Sequence, residues 1–388
     1  MHRYRLFAPG PTPVPPQVLA ALAQPVVHHR TEAFAALFAE VRQGLRWLFQ
    51  TEQEVLCLSG TGTAAMDAAV TNLLSPGDTA LYVNGGKFGA RWGTLLRAYG
   101  VNAVEVPVPW GQAVDPQAVA AALQQHRAVR AVYLQSCETS TATLHPVAEV
   151  AKVCHSHGDT LCVVDAITAL GVIDLGMDRD GLDVLISGSQ KAMMLPPGLA
   201  FIALSERAWT HSRQAKLPRF YLDLARELTA ARSNQTAWTA SVSLMAGLHV
   251  ALQMMQAEGL QQIFARHRLL ADGCRAGLQA LGCRLYSQTP AHGLTAAVPP
   301  TPIDATEVVK NLQRRFNLTL VGGQDAAKGK IFRVAHMGYF DELDILTFLG
   351  ALELSFAAQQ PLGAGAAGSA AAQAVLANAS MNLQNTSS

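Results

Sequence analysis

From Val55 to Leu204 the chain alternates short apolar runs with amphipathic stretches. The runs are Val55 to Leu58, Ala80 to Val83, Val104 to Val108, Val129 to Leu134, Leu161 to Val164, Val184 to Ile186 and Leu199 to Leu204. Most are apolar at consecutive positions, as expected of strands covered on both faces. Between them Ala64 to Leu74, Ala90 to Tyr99, Asp115 to His126 and Val147 to His157 carry helical spacing. Such alternation predicts an α/β fold built on a mainly parallel sheet.

After Thr239 the pattern changes to a long helical stretch, Ser241 to Leu281, interrupted at Gly259. A smaller α+β unit follows. It has a strand near Leu294 to Val298, a helix from Asp304 to Arg315 with that Asp as its cap, and strands at Leu318 to Val321 and Ile331 to Ala335. The prolines between Gly10 and Pro16 hold an extended arm, because each fixes its own φ and restricts its predecessor. The expected organisation is an N-terminal arm over 1–20, a large domain over 21–260 and a small C-terminal domain over 261–360. From Pro361 to Ser388 the Ala/Gly/Ser-rich composition suggests a frayed, flexible tail.

Composition narrows the class. At 388 residues, 50% hydrophobic and 15% charged, the chain can bury a large core, and a formal charge of +1 gives no electrostatic reason to expect nucleic acid or an anionic membrane. The proline-rich start lacks the apolar core of a secretory signal, and no apolar window approaches the roughly 20 residues of a membrane span. Six cysteines without a C-x-x-C pair suggest buried thiols in a reducing cytoplasm.

Candidate chemistry gathers where the apolar runs end. Lys191 follows Val184-Leu185-Ile186 and Ser187-Gly188-Ser189-Gln190, and precedes Ala192-Met193-Met194-Leu195. A lysine among apolar residues either lays its stem on them or has a lowered pKa suited to forming an imine with a carbonyl. Asp165 ends the run Leu161 to Val164, where it could cap the next turn or point into the crevice at the carboxyl ends of the strands. Ser59-Gly60-Thr61-Gly62-Thr63 joins a strand to a helix and offers backbone N–H groups and hydroxyls to a phosphate. Gly60, Gly62 and Ala65 also satisfy the dinucleotide-binding G-x-G-x-x-A pattern, although no acidic residue ends the next strand at Val83-Asn84. Glu138-Thr139-Ser140-Thr141 adds hydroxyls at the same sheet edge. Arg333, inside the apolar strand at 331–335, would be costly unless it meets an anion, whether a ligand carboxylate or a structural partner. Cys154, His155, His157 and Cys162 have a metal-like look but lack the second cluster that zinc-finger spacing needs, and no G-x-S-x-G nucleophile elbow occurs.

Taken together these segments resemble the class V aminotransferases, pyridoxal-phosphate enzymes of fold type I, and most of all the alanine–glyoxylate and serine–glyoxylate or serine–pyruvate group. The resemblance runs from Pro9-Gly10-Pro11 to Gly338. Its most specific part is Ser187-Gly-Ser-Gln-Lys191 with Pro196-Pro197-Gly198 behind it and Asp165 26 residues upstream. It implies a large domain with a mainly parallel seven-stranded sheet and a smaller α+β domain, with pyridoxal 5′-phosphate as cofactor. Lys191 would bond to its aldehyde and move the substrate proton, and Asp165 would pair with the ring nitrogen. Thr61, Gly62, Thr63 and Gln190 would hold the phosphate, Thr139 would reach the ring hydroxyl, and Phe88 would stack on the ring. Gly10 and Arg333 would meet the substrate. Thr239 (or, less securely, Thr236) would reach the phosphate of a neighbouring subunit, implying a homodimer. The implied partners are a small amino acid and a small 2-oxo acid; no metal is implied. Two departures from the family pattern stand out: Ala142 replaces a frequent glycine, and Ala237-Trp238 interrupts the stretch before Thr239. A lyase or desulfurase of the same fold, which would need a cysteine on a mobile loop, and a non-catalytic phosphate- or dinucleotide-binding protein are the alternative readings.

Overall fold

A computed structural model describes residues 3–126, 128–357 and 367–385. Its main sheet has seven strands: β1 (Val55–Gly60), β2 (Thr79–Asn84), β3 (Asn102–Pro107), β4 (Val129–Gln135), β5 (Leu161–Asp165), β6 (Val184–Gly188) and β7 (Gly198–Leu204). Their order across the sheet is β1-β7-β6-β5-β4-β2-β3, and only β7 runs antiparallel to its neighbours. In β5 and β6 every residue is buried. Successive strand residues face opposite sides, so both faces are covered, and the continuous apolar runs follow from that.

Register decides where the chemistry can lie. Gln135 pairs with Asp165, Asp165 with Ile186, and Gly60 with Gly198 at the start of the antiparallel β7. The carboxyl ends of six strands and the first residue of β7 therefore share one edge, where open α/β sheets bind their ligands.

The long helical stretch is two helices, Val242–Glu258 and Leu260–Ala280, with Gly259 between them at φ 85°. The first packs on the helices Pro16–Leu22 and Glu32–Phe49. The second packs on the C-terminal unit, whose four-stranded antiparallel sheet is formed by Arg284–Leu285, Leu294–Val298, Phe332–Ala335 and Val321–Gly322. Packing partners thus change at Gly259, beside the boundary expected from sequence. Asp304 caps the helix Ala305–Phe316 by accepting from the N–H groups of Thr306 and Glu307.

The N-terminal arm ties the two units together. Arg5–Leu6 pairs in parallel with Leu318–Thr319, and the Ala335 N–H donates to the carbonyl of Phe7 at 2.8 Å. Further along, the Thr12 N–H donates to the carbonyl of Gln190, and the Thr12 hydroxyl to that of Lys191.

The expected frayed tail is corrected over much of its length. Ala367–Asn385 is a helix packed on Leu260–Ala280, with Ala372 and Leu376 buried one turn apart. Alanine has the highest intrinsic helix propensity, and small residues let the helices approach closely. A Cβ at Gly273 would stand 2.9 Å from Leu376, and one at Gly277 2.9 Å from the carbonyl of Gly368. The other residues of the tail, 361–366 and 386–388, lie outside the described residues.

Candidate active site

A cavity of about 240 Å³ opens at the shared sheet edge. Gly10, Thr61, Gly62, Thr63, Phe88, Thr139, Asp165, Gln190 and Lys191 line it, together with Ile167, Thr168 and Arg91, the last being one of three arginines (with Arg30 and Arg219) that the sequence leaves open as readers of a substrate side-chain carboxylate. Thr239 lies elsewhere, and Arg333 stands behind Thr139 rather than on the wall.

The turn after β1 forms one side. Thr61 is extended (φ −94°, ψ 173°) and its side chain does not cap the helix Gly62–Thr71; the Ala64 N–H donates to the Thr61 carbonyl at 2.7 Å, which leaves the N–H groups of Gly62 and Thr63 without a side-chain cap. A Cβ at Gly62 would fall 2.3 Å from Ile167 Cδ1, so glycine is required for the turn to pack on the segment after β5. This helix end presents donors and a positive dipole to an anion. The dinucleotide alternative fares poorly, because β1 is an edge strand beside the antiparallel β7, whereas that motif belongs to a central parallel strand.

The loop after β2 carries Phe88 at the start of the helix Lys87–Ala98, which has no cap on its own segment. The buried carboxylate of Glu138 supplies one from across the site. It accepts from the N–H groups of Phe88 (3.1 Å) and Gly89 (2.9 Å), from the Ser140 N–H (3.0 Å) and hydroxyl (2.5 Å), and from Gln135 Nε2 (3.0 Å). In sequence Glu138 stands out only as a neighbour of the hydroxyls; the signal for this role is an acidic residue at the same sheet edge as a helix preceded by Gly85-Gly86, which offer no capping side chain. Thr139 exchanges a 2.7 Å hydrogen bond with Thr168. Ala142, where the family pattern often has glycine, adopts φ 58°, a conformation that favours glycine. Thr139 reaches the cavity wall nonetheless.

Asp165 and Lys191 face each other's charge. Burial raises the Asp165 carboxyl to about 6; the N–H of Ile167, 2.8 Å from Oδ1, opposes this, Glu138 adds to it, and Arg91 and Lys191 oppose it. Asp165 thus steadies the next turn and also lines the cavity, combining both readings of its position. Burial lowers the Lys191 amine to about 8; the charge of Asp165 opposes that shift, while Arg333 and Arg91 reinforce it. Lys191 Nζ donates to the carbonyl of Pro9, on the arm. A Cβ at Gly10 would lie 2.4 Å from that nitrogen, and φ there is 137°, so only glycine fits beside the amine. Gln190 Oε1 is buried with no hydrogen-bond partner.

Arg333 is 4% exposed, its Nε and Nη2 donating to the carbonyl of Gly322 and its Nη1 to that of Thr139 at 2.9 Å. No carboxylate forms an ion pair with it among the described residues, so the structural-pair reading is not what is seen. Burial lowers its pKa to about 10, with Glu138 opposing.

The remaining candidates lie outside the cavity. Thr239 is exposed beside Tyr221 and Trp238 and borders a shallow groove with Val26, Val27, His28 and His29. Thr236 is buried, its hydroxyl donating to the carbonyl of Trp238. His155 bonds Asp183, His157 bonds Thr160, and Cys154 and Cys162 are fully buried; among the described residues no group of three or more His, Cys, Asp or Glu side chains could hold a metal. Cys274 and Cys283, which lie in or just after the helix Leu260–Ala280 and not on the mobile loop a desulfurase needs, are buried too.

Comparison with known proteins places this geometry. The model of the family "Aminotransferase class-V" matches residues 4–356. The chain belongs to the class V aminotransferase family. It is 42% identical to the soluble hydrogenase small subunit of a Synechococcus species over 90% of this chain and 91% of that one. It is 31% identical to the L-aspartate–glyoxylate aminotransferase of Paracoccus denitrificans, over 91% of each. The solved structure of an alanine–glyoxylate aminotransferase from a Nostoc species superposes with a TM-score of 0.87 and 31% identity, over 92% of this chain and 96% of that one. The fold is thus that of the pyridoxal-phosphate enzymes of type I, as expected, and pyridoxal 5′-phosphate is the cofactor that the family implies. The cavity fits it: a helix N-terminus with uncapped donors, a buried amine, a buried carboxylate and an unpartnered amide oxygen surround one space.

Proposed function

We propose that this aminotransferase moves the amino group of a small amino acid, alanine or serine, to glyoxylate or pyruvate in two half-reactions. The observation that carries the reading is the placement of Lys191 and Asp165 on one cavity wall, with a buried Arg333 that has no carboxylate partner among the described residues bonded to the carbonyl of Thr139 just behind that wall. When bound, the cofactor supplies an aldehyde for covalent capture and a ring that accepts electrons from the substrate Cα.

This chain's residues do the rest. Lys191, whose amine burial lowers to about 8, would bond to the aldehyde and move the Cα proton. Asp165, ionised above about 6, keeps a proton on the ring nitrogen. Thr61, Gly62, Thr63 and Gln190 bind the phosphate, Thr139 meets the ring hydroxyl and Phe88 stacks on the ring. Arg333 binds the α-carboxylate, turning the Cα–H toward Lys191, while Gly10 leaves room beside the amine. Of the arginines left open as readers of a side-chain carboxylate, Arg30 is tied to Gln235 and the carbonyl of Thr236, Arg219 to carbonyls including that of Thr71, and Arg91, which lines the cavity, to Thr63 Oγ1. That engagement supports a small, uncharged donor side chain. A second copy of the chain would cover the exposed Val26, Phe220 and Tyr221 and bring Thr239, rather than the internally bonded Thr236, to the neighbouring phosphate. Six buried, unpaired thiols suit a reducing cytoplasm.

The test is a panel of alanine, serine and aspartate with glyoxylate and pyruvate, read as new oxo acid, with borohydride trapping to locate the bound lysine. Alanine or serine should turn over fastest, with the trapped adduct on Lys191. Preference for aspartate would refute the small-donor reading, and an unlabelled Lys191 would refute the site.

A further inference from the structure

We propose that Arg91 is a positioning residue for the cofactor's phosphate, acting through Thr63. The inference rests on the function proposed above and adds a group to the same site.

Arg91 lies one helical turn after Phe88, so both side chains fall on the same face of the helix Lys87–Ala98. Its guanidinium carbon stands 4.8 Å from the centroid of the Phe88 ring, and its Nη1 donates to Thr63 Oγ1 at 3.0 Å. Arg91 lines the cavity and forms no ion pair with a carboxylate among the described residues. Its charge is felt at both Asp165 and Lys191.

Two consequences follow. A hydroxyl oxygen that accepts from a guanidinium keeps its own proton for another acceptor, so Arg91 turns Thr63 into a donor. That donor sits at the uncapped start of the helix Gly62–Thr71, beside Thr61. Charge is the second consequence. A phosphate monoester carries nearly two negative charges at neutral pH, whereas the helix dipole offers only about half a positive one. Arg91 brings a full positive charge to that end of the cavity. Arg333 reaches the site from the other side, through Thr139, which leaves it for the carboxylate. Stacking on Phe88 holds the guanidinium in place without a carboxylate to neutralise it.

The test titrates cofactor-free wild-type protein, Arg91→Met and Arg91→Lys with pyridoxal 5′-phosphate and, separately, with pyridoxal, following visible absorbance. Pyridoxal offers the same ring and aldehyde without the phosphate. Arg91→Met should weaken capture of the phosphorylated aldehyde roughly 10- to 100-fold, in line with a charge-assisted hydrogen bond, and that of pyridoxal by less than about threefold. Arg91→Lys, which keeps the charge but not the planar fork, should fall between. Inorganic phosphate should slow capture of the phosphorylated aldehyde by the wild type more than by Arg91→Met. Equal losses for both aldehydes would overturn the inference, as would unchanged affinities accompanied by a raised KM for a dicarboxylic donor. Wild-type protein that captured neither aldehyde would overturn the proposed function as well.

Discussion

The reactivity of Lys191 before any cofactor binds can be worked out from its surroundings. Burial lowers its amine from 10.5 to about 8. At pH 7 about one molecule in ten then carries a neutral, nucleophilic amine, against about one in three thousand for an ordinary lysine, a gain of roughly 300-fold. Competitive acetylation of the cofactor-free protein with acetic anhydride, read by mass spectrometry of the Lys191 peptide against a reference lysine peptide, measures that titration directly. The rate should rise to a plateau with a midpoint near 8. The neighbouring charges set the signs of two controls. Asp165 stabilises the ammonium, so Asp165→Asn should move the midpoint down; Arg333 destabilises it, so Arg333→Met should move it up. Stability follows the same linkage. The folded chain releases this proton more readily than the unfolded chain, so the unfolding free energy should rise between about pH 8 and 10.5, by at most about 3 kcal/mol. A midpoint near 10.5, or controls that shift in the opposite directions, would refute the argument that burial prepares this amine.

Two further outcomes are expected. Asp165→Asn keeps an oxygen for the Ile167 N–H but removes a buried charge, so it should stabilise the cofactor-free protein by about 2 kcal/mol at pH 7. The gain should shrink as pH falls from about 6 through 3.8 and vanish below about pH 3, where Asp165 is neutral in both states, and thermal unfolding at pH 7 and at that pH checks it. Leu376→Ala, which hollows out the contact between the C-terminal helix and Gly273, should cost about 2–3 kcal/mol in thermal or urea unfolding, whereas a tail without packing would give no change.

Much of the large sheet was legible because its strands are apolar on both faces, and each run from Val55 to Leu204 became a strand with ends moved by a residue or two. Gly259 was legible as a break because the chain needs φ 85° there. The C-terminal helix was not legible. Its small residues look like a linker until the facing Gly273 and Gly277 are known, and that facing surface is set by packing a hundred residues away in the chain. Within the site, residues following strands could be placed from sequence, because strand ends converge. Arg91 was legible only as one of three arginines able to meet a substrate carboxylate, and Glu138 only as a neighbour of hydroxyls, since what each does depends on partners contributed by other segments: Thr63 for the first, Phe88 and Gly89 for the second.

These two residues explain how the cavity handles its charges. Glu138 is a buried carboxylate whose charge is felt at Arg333, yet the two form no ion pair; backbone N–H groups, a hydroxyl and an amide satisfy it instead. Had it formed an ion pair with Arg333, a substrate carboxylate would have to break that pair in order to bind. Arg333 instead donates to two backbone carbonyls, neutral acceptors that an incoming carboxylate can outcompete because charge-assisted hydrogen bonds are roughly twice as strong. Arg91 is held the same way, by a hydroxyl and an aromatic face. Both guanidiniums are oriented by partners that leave their charge uncompensated, which is what a site for two anions, a phosphate and a carboxylate, requires.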